Sequence, residues 1–108
     1  MDFETARHLF GQIESSKLQQ SKRDLLRAAV HYARVRADWH LASLEERNAM
    51  NQYRTTIHNA LIDACNILSR GMSAAGEGNA WRAALGDDRK SIGDLACYIH
   101  CFLGLAAR

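Results

Sequence analysis

The chain has 108 residues, with 14 Lys and Arg against 12 Asp and Glu, and it contains no proline. This length fits a single domain over residues 1–108, and 47% apolar with 24% charged residues argues against a disordered chain. The formal charge of +2 is too small to indicate a nucleic-acid partner by itself. Seventeen Ala and 12 Leu, against 11 Val, Ile and Thr together, favour an all-α fold.

Two helices are predicted in the first 42 residues. Apolar residues at every third or fourth position predict the first helix from Asp2 to about Lys17. Ser21 is predicted to cap the second helix, because an acidic residue, Asp24, follows it three positions later. A capping-box pattern from Ser43 to Glu46 then predicts a break near residues 41–43 and the start of a third helix.

The remaining elements are predicted from caps and glycines. The third helix is expected to run from residue 44 to about 70, where Gly71 would end it. Asn79 is predicted to cap a short helix over residues 80–85 that Gly86 ends, and Asp87 or Asp88 to cap a last helix that ends near Ala107. Trp81 is expected to anchor the short helix on the core. The predicted fold is a small antiparallel four-helix bundle with a short extra helix near residues 80–85.

A polar stripe on the third helix is the first candidate site. Its members recur at helical spacing and five of the seven are uncharged: Asn48, Gln52, Thr56, Asn59, Asp63, Asn66 and Arg70. His58 lies beside them. Amides and hydroxyls serve a half-buried contact without the desolvation cost of full charges, so His58, Asn59, Asp63 and Asn66 are candidate ligand or interface residues. The alternatives are a solvent-exposed face, or buried polar groups that fix helix register.

A cysteine cluster near the C-terminus is the second candidate. Cys97, His100 and Cys101 share one arc of the last helix, and Cys65 or His58 could supply a fourth zinc ligand. No C-x-x-C pair is present, and cysteines on an apolar helix usually act as small core residues. The sequence therefore predicts that the protein binds no metal and no cofactor.

Recognised catalytic motifs are missing, including the phosphate-binding glycine loop, the H-E-x-x-H helix and the G-x-S-x-G elbow. An enzyme is therefore not favoured.

Wide apolar faces on the second and last helices exceed what a four-helix monomer needs. The main prediction is a homo-oligomeric interaction protein, most simply a dimer, with another protein as a further possible partner.

Two functional alternatives stay open. The first is a small-molecule or metal-binding enzyme that uses His58, Asn59 and Asp63. The second is weak nucleic-acid binding through the arginine-rich second helix, at Arg23, Arg27 and Arg34.

The sequence also predicts a compartment. The N-terminus is acidic and is not followed by an apolar core segment, which argues against a signal peptide. The sequence also has no run of 18 uncharged apolar residues, so a membrane-spanning helix is not expected. Three cysteines are expected to be reduced thiols. These features predict a cytoplasmic protein without a membrane partner.

Overall fold

A computed structural model describes residues 1–106, which form five helices. Their bounds are α1 Phe3–Glu14, α2 Gln19–Leu41, α3 Leu44–Ala74, α4 Ala80–Leu85 and α5 Arg89–Ala106. Four main helices pack together with the short α4, and the described part contains no strand, so the predicted all-α bundle with a short extra helix is confirmed. The end predicted at Ala107 lies outside the described residues. No helix within residues 1–106 has the length and apolar character needed to span a membrane.

Helix α2 forms the centre of the bundle and runs antiparallel to both α3 and α5. On α3, the Tyr53 hydroxyl lies 2.9 Å from Nε2 of His31. On α5, Asp94 in the N-terminal half binds Arg36 in the C-terminal half of α2. After α3, the chain turns back along that helix. The side-chain amide of Asn79 holds it there by donating to the carbonyl oxygen and the hydroxyl of Ser69.

The turn between α2 and α3 is held by the predicted capping box. Ser43 Oγ accepts from the Glu46 backbone N–H at 3.1 Å, and Glu46 Oε1 accepts from the Ser43 N–H at 3.1 Å. Arg47 adds hydrogen bonds to the carbonyl oxygens of Trp39 and His40 in the last turn of α2, where helix carbonyls run out of partners further along the helix. The predicted break at residues 41–43 is confirmed.

The boundary between α1 and α2 differs from the prediction. Helix α1 ends at Glu14, and α2 begins at Gln19, so Ser21 lies inside the first turn and is not the cap. Tertiary contacts set this boundary. Glu77 accepts hydrogen bonds from the Ser16 hydroxyl and the Lys17 N–H, which fixes the connecting segment against the end of α3.

The end of α3 also differs, because Gly71 does not terminate the helix. A Cβ at Gly71 would lie 2.9 Å from Leu18 Cδ1, so this glycine allows the α1–α2 connection to approach α3 closely. The helix continues to Ala74, and Gly76 ends it with a positive φ of 75°. Its N–H donates to the Ser73 carbonyl and the Glu77 N–H to the Met72 carbonyl, which is the Schellman pattern.

The short helix α4 is held by its tryptophan. Trp81 is completely buried, and its indole N–H points at the sulfur of Met72 at 3.3 Å, so the predicted anchor is confirmed. Gly86 ends α4 with a φ of 61°, also as predicted. Asn79 precedes the helix, but its side chain binds Ser69 and makes no capping bond, so that detail of the prediction is wrong.

Helices α2 and α5 approach most closely at Gly93. A Cβ there would lie 2.8 Å from the Tyr32 hydroxyl oxygen and 2.9 Å from Cε1 of the same ring, and Tyr32 is itself buried. We expect Gly93→Ala to lower the free energy of unfolding by about 1–3 kcal/mol, because overpacking forces rotamer and backbone shifts. Urea unfolding followed by circular dichroism measures this change.

Gly104→Ala is the matched control for that substitution. Gly104 lies on the same helix with no heavy atom within 4 Å of an added Cβ. Alanine there is expected to be neutral or stabilising by up to about 1 kcal/mol, through helix propensity alone. Equal effects of the two substitutions would contradict close packing at Gly93.

Candidate functional site

A cleft lies where α5 begins. Arg89, the first residue of α5, already reaches the middle of α3, where its Nη2 donates to Asn59 Oδ1 at 2.9 Å. The α2–α3 hairpin extends past the start of α5, so the tip of the hairpin has no part of α5 beside it. A cleft of about 380 Å³ opens there between the three helices. Six basic side chains line it: Arg36, His40, Arg54, His58, Arg89 and Lys90. We call it the cationic cleft.

Acidic side chains neutralise only part of the positive charge in the cationic cleft. All three ion pairs found among residues 1–106 share one carboxylate, Asp94, which binds Arg36 at 2.9 Å, Lys90 at 3.3 Å and the N-terminal amine at 3.6 Å. Burial alone would raise the pKa of Asp94, but the hydrogen bonds from Arg36 and Lys90 lower it below its ordinary value. Neither Arg54 nor Arg89 belongs to these pairs, so no carboxylate of residues 1–106 lies within 4.0 Å of either guanidinium as an ion-pair partner.

Arg54 is positioned by an aromatic stack. Its guanidinium lies 4.4 Å from the ring centroid of Trp39, and Arg47 lies 4.3 Å from the same centroid. Each arrangement is a cation–π contact, which orients a guanidinium without neutralising it. Arg54 Nε is buried and has no hydrogen-bond partner in the described residues. Arg54 is therefore held in place with a donor still unsatisfied.

His58 is the most buried basic group of the cleft. It is 8% exposed and packs against the ring of Tyr32, with 4.6 Å between the centroids. Its Nε2 atom is buried and has no hydrogen-bond partner within residues 1–106, although most buried polar atoms have one. Burial and the charges of Arg89, Arg54 and Arg36 lower the pKa of His58. The imidazole is therefore neutral at neutral pH, beside several cations.

The first turn of α5 adds to the positive potential. Backbone N–H groups and the positive end of a helix dipole favour acidic residues at this position. Here the first two residues are Arg89 and Lys90, and the first turn holds no acidic residue. Asp88 precedes the helix and accepts from the Lys90 N–H at 3.0 Å. Because the Asp88 carboxylate already occupies this helix end, an anion in the cleft would be stabilised by the Arg89 and Lys90 side chains.

The candidate residues on α3 separate into two places. His58 lines the cleft, and Asn59 lies at its edge, where it holds Arg89. Asn66 lies farther along the helix and accepts from Arg82 Nε of α4 at 2.8 Å, while Asp63 is exposed between them. The structure therefore brings His58 and Asn59 to the cationic cleft but not Asp63 or Asn66.

The zinc alternative receives no support from the arrangement of the cysteines. Cys65 is buried in the core, and burial raises the pKa of its thiol to about 11. Cys97 is half-buried 3.8 Å from Arg36, whereas Cys101 is exposed. No three His, Cys, Asp or Glu side chains are grouped as metal ligands in the part of the chain described, His100 included.

Sequence reasoning missed the arginines of the cleft. One signal was present on α2, where Tyr32, Arg36 and His40 recur every fourth residue and so share a face. A second signal was the pair Arg89 and Lys90, which starts a helix with two cations at its positive end.

No family model, curated protein or solved structure matches this chain.

The lowered pKa of His58 has a consequence for stability. The unfolded chain binds a proton at the ordinary histidine pKa of about 6.5, while the folded protein resists protonation. The stability that this neutral imidazole contributes is present above that value and is lost as the pH falls through the lower folded-state pKa. We expect the free energy of unfolding to decrease between pH 7.5 and 5.5.

His58→Gln is expected to flatten this pH dependence, since glutamine does not titrate. His8, which is exposed on α1, supplies the matched control. His8→Gln should leave the slope of the wild-type protein intact in the same urea titrations. An unchanged slope in the His58 variant would contradict a buried neutral imidazole.

Proposed function

We propose that this protein binds a small phosphate-bearing anion in the cationic cleft. The observation that carries the proposal is the lining of the cleft, where six basic side chains meet and neither Arg54 nor Arg89 forms an ion pair among residues 1–106. Arg54 Nε is always a donor, so an anion that supplies an acceptor removes the cost of its unmade hydrogen bond, whereas His58 Nε2 donates only in the tautomer that carries its proton there. This develops the small-molecule alternative based on His58, with Arg54 and Arg89 in place of Asp63.

Phosphate chemistry fits the donor set. A guanidinium presents N–H groups in a planar fork that matches two phosphate oxygens, and Arg54 and Arg89 offer two such forks on different helices. A doubly charged phosphate also matches the excess of positive charge better than a single carboxylate. The cleft volume of about 380 Å³ leaves room for an organic group next to the phosphate.

The proposed activity is binding. Thr55, the one hydroxyl of an aliphatic side chain in the cleft lining, donates to the Asn51 carbonyl within its own helix at 3.0 Å. His58 lies against Tyr32, and no carboxylate of residues 1–106 is hydrogen-bonded to it, so the described residues do not form a nucleophile activated by an oriented base.

Isothermal titration calorimetry with inorganic phosphate and pyrophosphate tests the proposal. Pyrophosphate is expected to bind one site per chain more tightly than phosphate, because it carries more charge and more acceptor oxygens. Succinate tests whether a dicarboxylate is accepted as well. Potassium chloride at matched ionic strength separates binding from screening. Heats and thermal shifts that are the same for chloride and pyrophosphate would overturn the proposal.

Self-association is the second candidate function, as predicted from the sequence. One observation favours it: Leu41 and Leu44, on either side of the α2–α3 turn, are 87% and 77% exposed. Large apolar side chains exposed together are typical of contact surfaces. Light scattering coupled to size-exclusion chromatography measures the mass, and a value of 12.1 kDa at every concentration would show that the chain stays monomeric.

A further inference from the structure

One face of α2 is left open by the bundle. Its six members recur at spacings of four, three, four, three and four, and all are exposed or half-exposed: Arg23, Arg27, Val30, Arg34, Ala37 and Leu41. This spacing is the pattern of a single helix face. Helices α3 and α5 pack against the other sides of α2, so this stripe is available to a partner along the whole helix.

The N-terminal half of this face borders a groove between α2 and α5. Leu26, Val30 and Leu103 form an apolar floor, and Arg23 and Arg27 form its edge. The groove has a volume of about 280 Å³. Its surface therefore suits an apolar side chain accompanied by an acidic one.

The α2–α3 turn presents that combination. Leu41 and Leu44 are exposed, and Glu45 and Glu46 follow them directly. Glu46 is occupied in the capping box, whereas the exposed Glu45 carboxylate takes no part in it. One end of the open face is therefore apolar and basic, at the groove, and the other end is apolar and acidic, at the α2–α3 turn.

The positions of these two ends allow a closed dimer. The groove centres near residue 27 and the turn near residue 42, about 22 Å apart along α2 at ~1.5 Å per residue. A second copy with its α2 antiparallel, related by a two-fold axis near the middle of the open face, places each turn on the groove of the other copy. Such an isologous contact is made twice and closes after two subunits.

We propose that two copies of this chain associate through this surface, with Leu41 of each copy in the groove of the other and Arg27 facing Glu45 of the partner subunit. The proposal rests on the self-association proposed above and assigns it a surface. Opposite charges across such a contact fix its register and orientation.

A charge-reversal experiment tests the pairing. Arg27→Glu and Glu45→Arg each place like charges at both contacts of a homodimer, so the mass of each variant is expected to fall to one half of the wild-type value at the same concentration. An equimolar mixture restores attraction at both contacts of the mixed dimer. The mixture is therefore expected to regain the wild-type mass in light scattering. Circular dichroism verifies that each variant is folded.

Two exposed residues of α3 supply the matched controls. Arg70→Glu and Asp63→Arg make the same charge reversals outside the open face of α2, and both are expected to keep the wild-type mass.

The possible failures are distinguishable. A wild-type protein that stays at 12.1 kDa at high concentration overturns self-association and the surface together. A wild-type dimer whose single variants also remain dimeric overturns only the surface. Variants that are monomeric alone and stay monomeric when mixed overturn the pairing of Arg27 with Glu45. A monomer whose Arg27 is needed to bind DNA at low salt would assign the face to nucleic acid instead.

Discussion

The double substitution Arg54→Gln and Arg89→Gln is expected to weaken pyrophosphate binding by more than about 100-fold. Each hydrogen bond to a charged group contributes about 1.5–3 kcal/mol, so two lost guanidinium contacts exceed the 2.8 kcal/mol that a 100-fold change represents, about twice 1.4 kcal/mol per tenfold. Neither arginine has an ion pair within the described chain, so no acidic residue is left unpaired by its removal. Titration calorimetry of the folded variant measures the loss.

The matched control for this variant removes two arginines that lie outside the cleft. Arg23→Gln with Arg34→Gln changes the net charge by the same amount on the open face of α2. Pyrophosphate affinity should then change by less than about threefold, which corresponds to long-range screening alone. Equal losses in the two double variants would show that binding depends on net charge and not on the cleft.

Arg54→Lys separates charge from geometry. Lysine keeps the positive charge but loses the planar fork and the stack on Trp39. An intermediate loss of affinity is expected, on the order of tenfold, which corresponds to one hydrogen bond. Full retention of affinity would show that the site needs only a point charge at this position.

Trp81→Ala is expected to lower the free energy of unfolding by about 3–5 kcal/mol, the range for removing a large aromatic side chain from a core. Trp81 is completely buried, and the six-residue α4 cannot be stable on its own at that length. Trp81 is the largest of the side chains that hold the segment from α3 to the start of α5, which also has the buried Leu85 and the hydrogen bond from Arg82 to Asn66. Urea unfolding measures the loss.

Trp39→Ala is the control for the core prediction. Trp39 is half-exposed and lies between two arginines, so its removal creates little cavity and should cost less than Trp81→Ala. A loss below about 1 kcal/mol for Trp81→Ala would contradict the role of this residue as the anchor of α4. Trp81→Ala should also weaken pyrophosphate binding, because α4 leads directly to Arg89.

Local sequence signals predicted the elements whose boundaries depend on local hydrogen bonds. Ser43 and Glu46 form the capping box that the sequence indicates, and Gly86 ends α4 where a positive φ is needed. Distant contacts decide the other boundaries. Ser21 was a reasonable cap by its type, but the Glu77 carboxylate, 61 residues from Ser16, fixes the chain upstream of it. The spacing of apolar residues along the chain does not indicate such a distant contact.

The candidate site was predictable in part for the same reason. Helical periodicity groups residues within one helix, so it identified His58 and Asn59 on α3. The cleft itself exists because α5 begins below the tip of the α2–α3 hairpin, which brings Arg36, Arg54 and Arg89 together from three helices. The relative heights of packed helices follow from tertiary contacts, and no spacing within the sequence encodes them.

The most direct test of anion binding is a nitrogen-15 nuclear magnetic resonance titration of the wild-type chain with pyrophosphate. The side-chain Nε–H signal of Arg54, the Arg89 guanidinium and the imidazole of His58 are expected to shift together and to saturate at one pyrophosphate per chain. Signals from Arg23, Arg27 and Arg34 should stay in place. Shifts of those exposed arginines instead, with the Arg54 and His58 signals unchanged, would contradict binding in the cationic cleft.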